Sequence, residues 1–154
     1  MHLYKKLLKK LIIKNLTIST AESCTGGLLA YCFTKNKDSS KVYKGGYITY
    51  SNDLKIKNLN VRKKTMEIYG AVSKQTAEEM VSSLYQKNKT NISISTTGIA
   101  GPSGATNNKP VGLIYIGFCF NGNINIIKKN FKGSRLKIQK QCVDFIFKYL
   151  NNLI

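Results

Sequence analysis

The chain has one histidine, His2, and it lies on the N-terminal arm. That scarcity argues against a Ser-His-Asp or Cys-His machine, and against His-rich zinc or non-haem iron sites. Acids are scarce too: Glu22, Asp38, Asp53, Glu67, Glu78, Glu79 and Asp144 are all there are. They are dispersed, and Glu78 and Glu79 are expected to face solvent. A paired-carboxylate glycosidase or a two-metal nuclease has too little to work with. The four cysteines, Cys24, Cys32, Cys119 and Cys142, form no CxxC pair. With no export signal they read as reduced thiols in a cytoplasmic protein. The longest apolar runs are interrupted by Lys or Asn, so no membrane span is expected. The start, MHLYKKLLKKLIIKN, is basic, its apolar part is broken by Lys9, Lys10 and Lys14, and no small-residue cleavage site follows; it does not read as a signal peptide. No Walker A lysine follows either glycine-rich loop.

Arginine occurs only at Arg62 and Arg135, so the net charge of +18 is carried by lysine. A nucleic-acid or anionic-surface binder is one reading of that charge. Compositional drift is the other. Lys, Asn and Ile are abundant together, and the lysines are scattered rather than gathered into a stripe, which favours drift over a nucleic-acid partner. Either way the field attracts an anionic substrate.

What the chain does have is the content of a single domain over 1–154, long enough to bury roughly 70% of its unfolded surface. Residues 3–14 place Leu3, Leu7, Leu8, Leu11 and Ile12 at helical spacing. LTIS leads into a buried strand at 16–20, and Gly26-Gly27 opens a helix to about Lys35. VYKGGYITYS reads as a strand with a double glycine where a backbone approaches closely. Asn52-Asp53 is expected to cap a short helix to about Leu59. Thr76-Ala77-Glu78-Glu79 fits a capping box before the stripe Ala77, Met80, Val81, Leu84, Tyr85. NISIST is a strand running into GIAGPSG. VGLIYIGFCF and INIIKKNF flank Asn121-Gly122, a strong hairpin signal. Ile138, Cys142, Phe145, Ile146, Tyr149 and Leu153 form the face of a last helix. The order suggests an α/β fold, a three-layer α/β/α sandwich with a mixed sheet. TAESCTGG and TTGIAGPSG both sit at strand exits, where ligands gather in such sheets.

TAESCTGG is the densest chemical stretch. Ser23 or Cys24 could act as a nucleophile, or the loop could only cradle an anion. Without a usable histidine, the base must come from Lys, Tyr, a lone carboxylate or Cys. Tyr50 and Lys55 in YSNDLK, at another strand exit, are candidates, because a lysine with a lowered pKa can activate a serine. Spacing alone does not separate that from a packed tyrosine and a solvated lysine.

Taken in order, TAESCTGGLLA, GGYITYSNDLK, GAVSKQTAEEM and TGIAGPSG followed by KPVGLIYI resemble the segments of the CinA C-terminal domain family, the nicotinamide-nucleotide amidase (PncC-type) domain, in its stand-alone form. The resemblance covers nearly the whole chain. It implies hydrolysis of nicotinamide mononucleotide to nicotinic acid mononucleotide and ammonia, in pyridine nucleotide salvage, with no metal or cofactor and with a homo-oligomeric assembly expected. Carried onto this sequence, it implies Ser23 as nucleophile, Tyr50 and Lys55 as its activating partners, and Thr97 as a second hydroxyl in the site. Thr25, Gly26 and Gly27 are expected as oxyanion or phosphate donors, and Gly98, Gly101 and Gly104 as a phosphate nest. Arg135 is expected to pair with the phosphate. Cys24, lacking a histidine partner, is expected to stay a protonated thiol. Glu22 could orient a donor, contact the ribose or serve structurally. Ala105, Thr106 and Asn107 depart from the family's usual glycine and Thr-Pro.

Overall fold

The computed structural model describes residues 2–154. Its elements alternate in the order α1 (His2–Ile13), β1 (Ile18–Glu22), α2 (Leu28–Thr34), a 3-10 turn (Ser39–Lys41) and β2 (Tyr43–Ile48). There follow α3 (Asn52–Leu59), α4 (Lys63–Tyr69), α5 (Lys74–Asn88), β3 (Ile92–Gly98), β4 (Leu113–Phe120), β5 (Asn123–Asn130) and α6 (Arg135–Leu153). The strands form one sheet ordered β2-β1-β3-β4-β5. β1 pairs parallel with β2 and β3, while β3–β4 and β4–β5 are antiparallel, so the sheet is mixed as expected.

Helices cover both faces. On one side α1, α2 and α6 bury Leu7, Leu11, Leu29, Phe33, Ile138 and Phe147 against Ile18, Ile92 and Ile114. On the other, α3 and α4 pack on α5, where Leu59, Met80 and Leu84 meet Ala21. β1 is buried at every position because it lies between two strands and two helical layers, which is why it reads as an unbroken run. The first and last helices are tied together: the Asp144 carboxylate accepts from the Tyr4 hydroxyl, and Asn151 Nδ2 donates to Leu3 O at 3.0 Å.

Three local features differ from the sequence reading. α3 is capped by Ser51, whose Oγ accepts from Leu54 N, not by Asn52 or Asp53. α5 starts three residues earlier than the capping-box pattern suggests: Ser73 is the cap and Thr76 is already in the first turn. Serine at both places satisfies an N–H that would otherwise be left unpaired. α4 was not expected, since its seven residues bury only Thr65 and carry no apolar stripe. Glu79 is not a solvent-facing acid either. It accepts from Arg62 N, Arg62 Nε and Thr65 Oγ1, fixing α4 to α5, whereas Glu78 is exposed. The hairpin at Asn121-Gly122 has φ of 48° and 92°, the left-handed pair that a two-residue turn of this type requires.

The double glycine in β2 also has its expected role. A Cβ on Gly46 would stand 1.9 Å from Thr20 O on β1, so the two parallel strands pair this closely only with glycine there. Gly45 has open space but a φ of 111°. Gly46→Ala is therefore expected to lose about 3 kcal/mol or more, and Gly45→Ala about 1–2 kcal/mol through backbone strain alone. Urea denaturation of the two variants checks the order; equal losses would contradict it.

Candidate active site

Glu22 is the last residue of β1, and its carboxylate is fully buried. Instead of pointing into solvent it turns over the start of α2. Oε2 accepts from Gly27 N (3.0 Å), Leu29 N (3.1 Å) and Thr25 Oγ1 (2.6 Å), and Oε1 accepts from Ala30 N (2.8 Å). Helix N-termini present unpaired N–H groups and a partial positive charge, and here one side chain answers both. The cap position itself, Gly27, has φ 99° and contributes no side chain. Residues 23–27 are thus wrapped into a tight turn around Glu22, with Ser23 N donating to Thr96 O and Gly26 N to Ser23 O.

That turn sets Ser23 at the edge of a cleft of ≈ 350 Å³. Its walls include Tyr50, Lys55, Ala71, Thr97, the loop from Gly98 to Gly104, and Arg135. The structure therefore brings Ser23, Tyr50, Lys55, Thr97, Gly98, Gly101, Gly104 and Arg135 into one cavity from four separate stretches of chain. Thr25, Gly26 and Gly27 do not line it. The Thr25 hydroxyl is engaged by Glu22 and by Thr96 Oγ1 at 2.8 Å, and the Gly27 N–H is taken by Glu22. A phosphate placed at that helix start would face a carboxylate, so the anion nest expected at Gly26-Gly27 is already filled from within.

Lys55 is 1% exposed. Its Nζ donates to Thr49 O at 3.0 Å and to Tyr50 O at 3.1 Å, and no acid pairs with it among the described residues. Burial lowers its pKa from 10.5 to about 8, an effect only partly offset by the nearby Cys24 sulfur. Two carbonyls occupy two of the amine's tetrahedral directions, so a neutral lysine keeps one lone pair free. Cys24 is also buried, and burial pushes its thiol up to about 12, so it remains protonated as expected. The Ser23 Oγ has no hydrogen-bond partner among the described residues. His2 is exposed on α1 and takes no part in the cleft.

Tyr50 is not placed between Ser23 and Lys55 by any hydrogen bond. Its side chain is 60% exposed and its Oη accepts from Arg135 Nη2 at 2.9 Å. The other Arg135 terminal nitrogen, Nη1, donates to Gly101 O at 2.8 Å, so the guanidinium bridges the tyrosine and the glycine-rich loop. Thr97 Oγ1 donates to Ala71 O at 2.7 Å, which holds the segment after α4 against the cleft. Gly98 serves the sheet, because a Cβ there would lie 2.5 Å from Leu113 O. Gly101 and Gly104 take φ of 79° and 98°, values that let the loop double back over the cavity. One residue that motif reasoning passes over is Gln139: its Nε2 donates to Cys24 O at 2.9 Å across 115 positions of sequence. Only its spacing from Arg135, one helical turn away on the same face, hints at it. Among the described residues no group of three or more His, Cys, Asp or Glu side chains could hold a metal ion. No described helix is long and apolar enough to cross a membrane.

Comparisons with known proteins agree with this fold. The CinA C-terminal domain family matches residues 1–154. A competence-damage inducible protein of Clostridium botulinum is 51% identical over 144 residues, which cover 91% of this chain and 35% of that protein. A protein of the same description from Clostridium acetobutylicum is 46% identical over 144 residues, covering 94% of this chain and 35% of the relative. The chain thus spans about a third of the length of these curated relatives. Among solved structures, the competence/damage inducible protein CihA of Agrobacterium tumefaciens superposes with a TM-score of 0.94 at 36% identity, covering 99% of this chain and 93% of that one. A CinA superfamily protein from Klebsiella pneumoniae does so with a TM-score of 0.94 at 30% identity, covering 98% and 94%. Given the match along its whole length and the shared three-layer fold, this chain belongs to the CinA C-terminal domain family.

Proposed function

We propose that this chain is an amidohydrolase that converts nicotinamide mononucleotide to nicotinic acid mononucleotide and ammonia, with Ser23 as nucleophile and Lys55 as its base. The observation that carries this reading is a buried, acid-free lysine with a depressed pKa, lining the same cleft as a serine hydroxyl that has no protein partner. A lysine of ordinary pKa would be charged near neutrality and could not accept a proton. At about 8, a useful fraction is neutral.

The steps follow from the residues. Lys55 Nζ takes the Ser23 proton through its free lone pair, directly or through a water. Ser23 Oγ attacks the carboxamide carbon, which the pyridinium charge of the substrate already polarises. The tetrahedral oxyanion needs donors aimed at it. The Cys24 and Thr25 N–H groups have no acceptor among the described residues, and both residues are almost wholly buried. Protonated Lys55 returns its proton to the leaving ammonia, and water then attacks the acyl-enzyme with Lys55 as base again. The phosphate of the substrate fits the other end of the cleft, where Arg135 stands exposed beside Gly101 and Gly104. Tyr50 holds the guanidinium there, so in this reading it positions the phosphate anchor as much as it serves the serine.

Two experiments test the assignment. Ser23→Ala should lower the rate of ammonia release by about 10³-fold or more, while Cys24→Ala should retain most of it; full activity in Ser23→Ala would remove Ser23 as nucleophile. In the pH profile, kcat/KM should rise about tenfold per unit below pH 8 and level off above it, because the neutral amine is the active form.

Lys55 also leaves a mark on stability. Its folded pKa lies below its unfolded one, so between about 8 and 10.5 the unfolded chain binds more protons and stability should increase with pH. Relative to Lys55→Met, which should be inactive, the native protein is expected to gain on the order of 2 kcal/mol between pH 7 and 10. Parallel stability curves for the two proteins would show that burial does not depress Lys55.

A further inference from the structure

α6 touches the catalytic cleft at two points one helical turn apart. Arg135 reaches the glycine-rich loop and Tyr50, and Gln139 reaches the nucleophile turn. The second contact has no evident part in substrate binding, since Gln139 does not line the cleft. Its target, Cys24 O, belongs to the peptide unit whose other end is the Thr25 N–H.

Apart from the Ser23 hydroxyl, the other hydrogen-bond donors of the turn have fixed partners. Ser23 N donates to Thr96 O, Gly26 N to Ser23 O and Leu28 N to Thr25 O. Gly27 N, Leu29 N, Ala30 N and the Thr25 hydroxyl all go to Glu22. What is left is the pair of N–H groups on Cys24 and Thr25, on residues only 3% and 2% exposed. Unpaired N–H groups at buried positions are costly, and such costs are retained where a ligand supplies the acceptor.

In a planar trans peptide the carbonyl and the N–H point in opposite directions. An acceptor pinned at one end therefore aims the donor at the other. The bond from Gln139 fixes the Cys24–Thr25 plane, as the bond from Gly26 fixes the Ser23–Cys24 plane. Hydrogen bonding to the carbonyl also polarises the unit, which makes its N–H a stronger donor.

We infer that Gln139 is a positioning residue for the oxyanion donors: by holding Cys24 O it orients the Thr25 N–H toward the tetrahedral intermediate formed at Ser23. This rests on the amidase reading above. Because the oxyanion exists only in the transition state and intermediate, the contact should affect kcat and leave KM nearly alone.

The test compares the native protein, Gln139→Leu, which keeps the volume and removes the donor, and Gln139→Lys, which keeps a donor of similar reach. With nicotinamide mononucleotide, Gln139→Leu should lose about tenfold or more in kcat with KM changed less than twofold. Gln139→Lys should recover most of the loss. A boronic acid analogue of the pyridinium nucleotide, which forms a tetrahedral anion on serine, should bind Gln139→Leu more weakly by a similar factor. Nicotinic acid mononucleotide should bind both proteins alike. In the absence of any ligand, the Thr25 amide resonance should shift between native protein and Gln139→Leu. A native protein that hydrolyses the substrate beside a Gln139→Leu variant within twofold of it would overturn this inference and leave the amidase reading standing. An inactive native protein would defeat the amidase reading instead. In that case the Thr25 resonance still decides whether Gln139 orients the turn, and an unmoved resonance rejects it. Equal melting temperatures of the variants separate these outcomes from loss of folding.

Discussion

One buried carboxylate organises the cleft end of this protein. Glu22 leaves β1 and accepts four hydrogen bonds from the start of α2, so that the chain reverses direction in five residues without exposing helix donors. A negative charge at that helix start is favourable in itself, and its four donors replace the water that burial removes. The position of Ser23 at the cleft, the sealed Thr25 hydroxyl and the availability of only two N–H groups are all consequences of that arrangement. Had the helix start been open, its N–H groups would have formed an anion site of their own beside the cleft.

Charge in the cleft is handled in a complementary way. The carboxylate is saturated with donors and the lysine has no anion beside it. Lys55 has two carbonyls and no carboxylate, which holds it in place while keeping its proton loosely bound. An Asp or Glu beside it would have raised its pKa again. The overall charge of +18 adds long-range attraction for anions of any kind.

Much of the architecture was legible in the sequence because it follows from local chemistry. The apolar stripe of α1 and α6, the hairpin at Asn121-Gly122 and the close approach at Gly46 each announce themselves within a few residues. The gathering of Ser23, Tyr50, Lys55, Thr97 and Arg135 was anticipated by resemblance, since spacing alone did not separate Lys55 from a solvated lysine. What stayed hidden depends on partners far along the chain. The role of Glu22 was left open because a carboxylate before a glycine pair looks the same whether it faces solvent or its own helix. Glu79 looked like a surface acid because Arg62 and Thr65 are on another helix. Ser51 and Ser73 were passed over as caps because Asn52, Asp53 and Thr76 are equally good cap formers and only the backbone path chooses among them.

The two contacts from α6 have a consequence for how the protein comes into being. The Ser23 turn is made early in the chain, yet Gln139, which holds it, and Arg135, which ties Tyr50 to the glycine-rich loop, follow all five strands. α6 in turn is stapled to α1 through Tyr4 and Asn151. During vectorial synthesis the strands emerge before this helix, when Ser23 N can already bond Thr96 O and tie the turn to β3, but nothing yet joins Tyr50 to the glycine-rich loop. The clasp across the cleft therefore forms only once α6 has docked, so closure of the cleft is coupled to the packing of a helix made after the whole sheet.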